Sequence, residues 1–320
     1  MNVDVVIPAY NAMDFIEQTL RSVAQQTLRP SSVIVVDDGS TDSTANLVMQ
    51  FAASSGLTVR LVRQANAGLS AARNTGLRAA TAEFVALLDA DDVWLPSKLE
   101  LQMEAFARAP QTVGVIYCGF GLIDDRGNPL PDDGFIFDEG IRGDVSRKLR
   151  RANLVAGSGS AVVIRRSVLE QSGYFDTALP AAEDWDMWIR MAQVCEYDFV
   201  RDVLLLIRRH STSMQRDPVH MLRGKMLFAD KHLRMGTLDR TVLADLRRGL
   251  WVHGVKARNL FGYEGCSLVL RFLLAPACVQ GQRLSDIAGS LLLSARKGQW
   301  QVLGQRLVRL TRRLPGCRRD

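Results

Sequence analysis

The chain has 320 residues, of which 47% are hydrophobic and 23% charged, a composition that excludes a disordered or fibrous protein and suits two domains. The net charge of +6 conceals an asymmetry, since residues 1–220 carry a net charge of −7 and residues 221–320 one of +13. A basic tail on an acidic body indicates an anionic contact, either lipid headgroups or nucleic acid.

Three features that the sequence lacks indicate where in the cell the protein is expected. The five cysteines are widely spaced and form no CxxC pair, which argues against a zinc site or a disulfide framework. The first residues lack the pattern of a signal peptide, and no run of 18 apolar residues occurs. We therefore expect a cytoplasmic protein with reduced thiols and no transmembrane helix.

The first 110 residues alternate short apolar runs with segments of helical periodicity. We predict strands at residues 3–8, 32–36, 59–62 and 84–88, and helices at residues 12–24, from Asp42 onward, at 70–80 and after Pro96. This alternation is typical of a parallel sheet covered by helices on both faces.

Polar clusters follow three of the four predicted strands. They are Tyr10 with Asn11, Asp37 with Asp38, and the acidic cluster 89–92. Sheets of this class bind ligands at the carboxyl ends of their strands. We therefore expect these three segments to converge on one crevice.

Residues 111–220 show a less regular pattern. We predict strands at residues 113–117, 161–164 and 203–207, a long loop at 124–144 and a short helix at 183–192. Beyond residue 221 the pattern is helical and basic. The domains are accordingly placed at residues 1–220, an α/β domain, and 221–320, a basic helical extension.

The acidic cluster holds three carboxylates in four residues, Asp89, Asp91 and Asp92. They repel one another unless a cation or strong hydrogen-bond donors neutralise them. Mg²⁺ and Mn²⁺ prefer hard oxygen ligands and commonly bridge to substrate phosphates. A solvated turn is the ordinary explanation, but the position directly after a buried strand favours a metal site.

Other candidates also have an ordinary structural explanation. Arg73 lies among small residues and can pair with phosphate oxygens, although for this segment alone an ordinary helix with a surface arginine is the better explanation. Residues 183–188 combine three acids with two tryptophans, which indicates an acidic pocket with an apolar wall, whereas helix capping would also explain the acids. His210 is either a metal ligand or a polar residue at the end of a strand.

Five motifs in order resemble the inverting family-2 glycosyltransferases of the GT-A fold, over about residues 3–215. The motifs are VIPAYN at 6–11, VVDDGS at 35–40, NAGLSAARNTG at 66–76, LDADD at 88–92 and EDWDMW at 183–188. The resemblance implies a GT-A fold with a mainly parallel central sheet. It also implies that residues 1–110 form the nucleotide-binding half of the domain and residues 111–220 the acceptor half.

The resemblance further assigns roles to individual residues. The residues around the nucleotide sugar would be Pro8, Tyr10, Asn11, Asp38, Arg73 and Asp89. Asp91 would hold Mn²⁺ or Mg²⁺, with His210 near the metal. Asp184 would be the catalytic base. Glu183, Gly157 and Ser158 would lie on the acceptor side, within the stretch 153–160.

The implied reaction is the metal-dependent transfer of a sugar from a nucleotide sugar to an acceptor hydroxyl, with inversion. A UDP- or dTDP-sugar is the expected donor, and a glycan or lipid-linked molecule of cell-surface polysaccharide or glycoconjugate synthesis is the expected acceptor. The chain lacks the Gln-x-x-Arg-Trp motif of processive synthases in this family. This absence favours the transfer of a single sugar.

Two other classes of function are compatible with a nucleotide-binding α/β fold. A sugar-1-phosphate nucleotidyltransferase normally carries a glycine-rich, basic loop after the first strand, and residues 9–13 contain neither glycine nor lysine. A non-catalytic binding module would be expected to have lost a carboxylate from residues 89–92 or 183–186, and all remain. Release of nucleoside diphosphate from a nucleotide sugar separates the enzyme from both.

The tail contains one pattern with a membrane interpretation. Apolar residues repeat at spacings of three and four at Trp300, Leu303, Leu307, Leu310 and Leu314, with arginines mostly elsewhere. A basic amphipathic helix within residues 285–314 could lie on an anionic membrane surface, or its apolar face could pack on the protein itself. We expect a peripheral protein on the inner face of the membrane, with no nucleic-acid partner.

Overall fold

The computed structural model describes residues 1–130, 135–136, 140–155, 157, 159–211 and 213–238. Ser158 and the amphipathic pattern at 285–314 lie outside these residues. The fold described below therefore concerns the predicted α/β domain and the first part of the predicted extension.

The first half of the domain follows the predicted alternation of strands and helices. Its elements are β1 (Val3–Ala9), α1 (Ile16–Ala24), β2 (Ser32–Asp37), α2 (Thr44–Ser54), β3 (Val59–Arg63), α3 (Leu69–Ala79) and β4 (Phe84–Leu87). Near the predicted start of α2, the carboxylate of Asp42 accepts the backbone N–H of Thr44 at 2.9 Å. This bond satisfies one of the free N–H groups of the first turn.

The second half contains more elements than the sequence predicts. They are β5 (Val93–Trp94), α4 (Lys98–Arg108), β6 (Val113–Ile123), β7 (Phe135–Ile136), α5 (Ser146–Leu149), β8 (Val163–Arg165), α6 (Arg166–Ser172), α7 (Glu183–Met191), β9 (Glu196–Arg208) and α8 (Pro218–Met235). The predicted loop 124–144 contains β7, and the short helix α6 was not predicted. An element of two to seven residues is too short to show a period in its apolar residues.

The strands form one sheet in the order β3-β2-β1-β4-β8-β6-β9-β5, and β7 pairs with β6. Strands β1 to β4 pair in parallel, β8 is antiparallel to both β4 and β6, and β9 is parallel to β6. The mixed α/β class is confirmed, with a wholly parallel first half. The carboxyl ends of β1, β2, β4 and β9 consequently meet at the edge of the sheet where β8 begins.

Buried aliphatic side chains on β1, β2 and β4 form the centre of the core. Val5, Val35 and Val85 have no exposed surface. Full burial of such a side chain contributes about 1.5–3 kcal/mol. The carboxyl-end loops are thus attached to the buried centre of the core.

Helix α8 packs on α7, and the predicted boundary at residue 220 falls within α8. The ring of Phe228 in α8 stacks on Trp185 in α7, with 4.6 Å between their centres. In the part of the chain that the structure describes, no helix is long and apolar enough to cross a membrane.

Candidate active site

The loops after β1 and β2 form one side of the crevice. Pro8 is buried within β1 and lies opposite Val36 of β2. Tyr10 is 53% exposed, so its ring is accessible to a ligand. Asn11 has a φ of +46°, and its side-chain carbonyl accepts the backbone N–H of Thr41 at 2.9 Å. The two loops are therefore bonded to each other beside the exposed ring.

Asp38 holds the loop that leads into α3. Its buried carboxylate accepts hydrogen bonds from Gln64 Nε2 at 2.7 Å, Ala67 N at 2.9 Å and Gly68 N at 2.8 Å. The resemblance assigns Asp38 to the nucleotide base, and that role stays a prediction. The observed bonds fix the start of the helix that carries Arg73.

Arg73 joins two acidic segments that are far apart in sequence. Its Nη2 donates to Asp89 Oδ1 at 2.7 Å, and its Nη1 donates to Glu183 Oε1 at 2.8 Å. Burial alone would lower the pKa of Arg73, but the charges of Asp89 and Glu183 raise it above its usual value. The side chain is 1% exposed, so a contact with a diphosphate, its predicted role, would require the guanidinium to become accessible.

The acidic cluster divides into a buried carboxylate and two more accessible ones. The hydroxyl of Ser160 accepts the backbone N–H of Asp89 at 3.0 Å and donates to Asp92 Oδ2 at 2.6 Å. Burial raises the pKa of Asp92 well above its usual value, and the charges of Asp91 and Asp89 raise it further. Asp92 therefore supports the loop, whereas the side chains of Asp89 and Asp91 are 23% and 33% exposed.

Asp91 and His210 meet at the edge where β4 and β9 end. His210 Nε2 lies 2.9 Å from Asp91 Oδ2, and the Asp91 side chain is 33% exposed. Among the described residues no group of three His, Cys, Asp or Glu side chains could hold a metal ion. Mg²⁺ and Mn²⁺ sites commonly use one or two protein ligands together with substrate phosphates, so this pair fits such a site.

Asp184 occupies the second position of α7, beside the Arg73 ion pairs. It accepts hydrogen bonds from Trp185 N at 2.6 Å and from Asn153 Nδ2 at 3.3 Å. Burial raises the pKa of its carboxyl above the usual value, and nearby Asp89 adds to the rise. A higher pKa makes a carboxylate a stronger base.

Asp186 is fully buried and serves a different purpose from Asp184. Its carboxylate bonds to Arg190 Nε at 2.9 Å, Lys231 Nζ at 2.7 Å and His232 Nε2 at 3.0 Å. Burial would raise its pKa, but these partners lower it well below the usual value. Asp186 thus fastens α7 to α8.

The tryptophans of the EDWDMW motif face inward. The indole N–H of Trp185 donates to the backbone carbonyl of Leu149 at 2.7 Å, and Trp188 is buried against Phe175. Trp185 is half-buried against α8 and Trp188 is fully buried, so both rings contribute to the packing around α7. Their predicted role as the apolar wall of an acidic pocket stays a prediction.

Two residues of the stretch 153–160 contact the candidate site, although the sequence analysis singled out only Gly157 and Ser158 within that stretch. Ser160 bonds to the backbone of Asp89. Asn153 bonds to the carboxylate of Asp184, a contact that no pattern in the sequence indicates. Gly157 is buried beside Ala161 and Leu205.

A parallel α/β half with carboxylates at its carboxyl edge defines a nucleotide-binding class of protein. Residues 4–173 match the family model described as Glycosyl transferase family 2. The chain belongs to this family, which confirms the resemblance of its motifs.

Similar solved structures confirm the GT-A fold. S. aureus TarS 1–349 in complex with UDP-GlcNAc is 21% identical, with a TM-score of 0.64 over 93% of this chain and 88% of that one. The mannosyltransferase PcManGT from Pyrobaculum calidifontis, in complex with GDP-Man and Mn²⁺, is 23% identical, with a TM-score of 0.56 over 97% of this chain and 85% of that one.

Similar sequences include two bacterial proteins. An uncharacterised glycosyltransferase from Rickettsia conorii is 28% identical over 65% of this chain, which spans only 34% of that protein. The putative teichuronic acid biosynthesis glycosyltransferase TuaG from Bacillus subtilis is 37% identical over 40% of this chain and 50% of its own length.

Proposed function

We propose that this protein transfers a single sugar from a nucleotide sugar to an acceptor hydroxyl, with inversion. The observation that carries the proposal is the Arg73 bridge, which joins Asp89 at the end of β4 to Glu183 at the start of α7. This bridge brings Asp184, the family's expected base, beside the carboxylates expected to face the donor. The match to glycosyl transferase family 2 supports this arrangement.

In the proposed reaction, Asp184 takes the proton of the acceptor hydroxyl as its oxygen attacks the anomeric carbon. The bond from that carbon to the phosphate oxygen breaks, and the nucleoside diphosphate leaves. A single displacement of this kind inverts the anomeric centre. Asn153 and the backbone N–H of Trp185 orient the base through their bonds to its two oxygens.

Asp91 and His210 would hold Mn²⁺ or Mg²⁺, which stabilises negative charge on the departing diphosphate. Arg73 acts as a positioning residue, because both ends of its guanidinium are bonded to carboxylates. Tyr10, with its exposed ring, is the proposed stacking surface for the nucleotide base.

Names of the similar proteins support the donor class and the setting. The solved structures carry UDP-GlcNAc or GDP-Man, and the name of TuaG refers to teichuronic acid biosynthesis. We propose a UDP- or dTDP-sugar as donor and cell-surface polysaccharide or glycoconjugate synthesis as the setting. Association of residues 285–314 with the inner membrane surface remains a prediction, which liposome flotation of the full chain and of a chain ending near residue 285 would test.

The test is release of nucleoside diphosphate from a panel of UDP-, dTDP- and GDP-sugars in the presence of Mn²⁺. We expect release from one or a few donors. Failure with every donor, or formation of pyrophosphate from a nucleoside triphosphate and a sugar 1-phosphate, would contradict the proposal. The second result would identify a nucleotidyltransferase.

A further inference from the structure

The segment that precedes β8 touches the candidate active site at three points. Ser160 bonds to the backbone of Asp89, Asn153 bonds to the carboxylate of Asp184, and the carbonyl of Leu149 accepts the indole N–H of Trp185. From Ser160 back to Leu149, the segment contacts first Asp89, which is expected on the donor side, then Asp184, the proposed base, and then Trp185, which follows Asp184. Leu149 bonds to Trp185, which directly follows Asp184, so the turn around Leu149 lies next to the proposed base, where the proposed acceptor would bind.

The residues beyond the base are strongly basic. Four of the five positions in the basic turn 147–151 are Arg147, Lys148, Arg150 and Arg151. Val145 and Leu149 are fully buried, one helical turn apart, which leaves the side chains of Arg147 and Lys148 exposed. Within the ranges that the structure covers, these two side chains make no hydrogen bond or ion pair.

The charge of this turn contrasts with that of the neighbouring site. Arg73 is already bonded to Asp89 and Glu183, and Asp184 lies next to them. A negatively charged acceptor approaching these carboxylates would be repelled unless cations nearby offset them. A neutral acceptor would need no such cations.

We propose that the basic turn 147–151 binds an anionic acceptor, one that carries a phosphate or carboxylate close to the hydroxyl to be glycosylated. This inference rests on the proposed function and specifies its acceptor class. Arg147 can bind such a group through two parallel hydrogen bonds, and Lys148 adds a second charge. Binding should weaken as salt concentration rises, since both side chains are exposed.

The experiment compares binding of labelled oligomers to the full chain by fluorescence anisotropy. The probes are an oligo(glycerol phosphate), tetragalacturonate and neutral maltotetraose, with vesicles of phosphatidylglycerol or phosphatidylcholine as separate arms. The test variant is Arg147→Gln/Lys148→Gln. The control Arg29→Gln/Arg201→Gln removes two exposed positive charges elsewhere on the protein, so it has the same net charge as the test variant. Any binding of the probes to the basic tail should therefore be equal in the two variants.

We expect at least one anionic oligomer to bind the wild type and the control alike, and the test variant roughly tenfold or more weakly, the effect of losing charge-assisted hydrogen bonds. Arg147→Lys/Lys148→Arg, which keeps both charges, should retain binding. Equal binding to both charge-removal variants would overturn the proposal. So would an effect confined to phosphatidylglycerol vesicles, which would indicate a lipid contact.

Release of nucleoside diphosphate from the donor alone separates this inference from the proposed function. The test variant should keep that release at the wild-type rate, because the turn does not touch the donor side. Release without selective binding of an anionic oligomer would refute the acceptor class alone. Selective binding without release from any donor would refute the transferase activity.

Discussion

Gly224 of α8 lies directly against Ala181, two residues before the start of α7. A Cβ at position 224 would lie 2.6 Å from the backbone nitrogen of Ala181, closer than a Cβ atom normally approaches any atom to which it is not bonded. The next residue, Ala182, has a φ of +61°, a conformation that non-glycine residues adopt only where surrounding structure holds them. Helix α8 therefore supports the strained backbone from which α7 starts.

The substitution Gly224→Ala tests this support. In an isolated helix, replacing glycine by alanine would raise the stability of the helix by about 1 kcal/mol. In the folded protein, the added methyl group would overpack the contact with Ala181, which costs about 1–3 kcal/mol. We expect a net loss of stability in urea unfolding and a fall in turnover larger than any change in donor affinity. Lys225→Ala, at an exposed position on the same helix, should change neither. A Gly224→Ala protein more stable than the wild type would refute the close approach.

Asp184 and Asp186 should respond differently to the same change. Asp184→Asn should lower turnover by ~10²–10⁴-fold, the usual contribution of a general base, with donor affinity within a few-fold of the wild type. Asp186→Asn should instead lower stability, because it removes the charge that Arg190, Lys231 and His232 share. Measuring turnover and urea unfolding for both variants distinguishes the two roles. The assignment of the base fails if Asp186→Asn is inactive yet stable.

Breaking the Arg73 bridge should leave Glu183 as an unpaired buried charge. We expect Arg73→Met to cost about 3–5 kcal/mol of unfolding free energy, the usual effect of removing one partner of a buried pair. Arg73→Met/Glu183→Gln should recover part of the stability, but not turnover, because Asp89 and α7 are no longer joined. Equal stability of the single and double variants would show that the two side chains are not coupled.

Donor binding should depend on a divalent metal through Asp91. Asp91→Asn should abolish the stimulation of donor binding by Mn²⁺, and His210→Gln should weaken it. Asp202→Asn removes an exposed carboxylate outside the candidate site and should leave this stimulation unchanged. Isothermal titration with and without EDTA provides the measurement. Full donor affinity in excess EDTA would contradict the predicted metal dependence.

The pH profile of turnover should report on Asp184. The base acts only when deprotonated, and burial raises its pKa above the usual 3.8, so activity should begin to fall at a higher pH than for an ordinary aspartate. The hydrogen bond from Asn153 lowers this pKa. Asn153→Ala should therefore move the acidic limb to still higher pH. An unchanged limb would mean that another group controls it.

The sequence by itself determined the class of fold and the edge of the sheet at which the polar clusters meet. Apolar runs of four to six residues mark β1, β2 and β4, and polar residues follow each of them directly. Parallel pairing then requires those residues to meet at one edge, so local order along the chain was sufficient. The resemblance of the motifs to family 2 assigned Asp91 and Asp184 the roles of metal ligand and base, and these roles remain predictions.

Only the tertiary structure decided which charges pair. Arg73 and Glu183 are 110 positions apart, and Asp186 and His232 are 46 apart. Periodicity reports which face of an element is buried, but it carries no information on which distant side chain lies opposite. A buried charge needs a partner. For Arg73 the packing of α3, β4 and α7 supplied two carboxylates where the motif had suggested a phosphate.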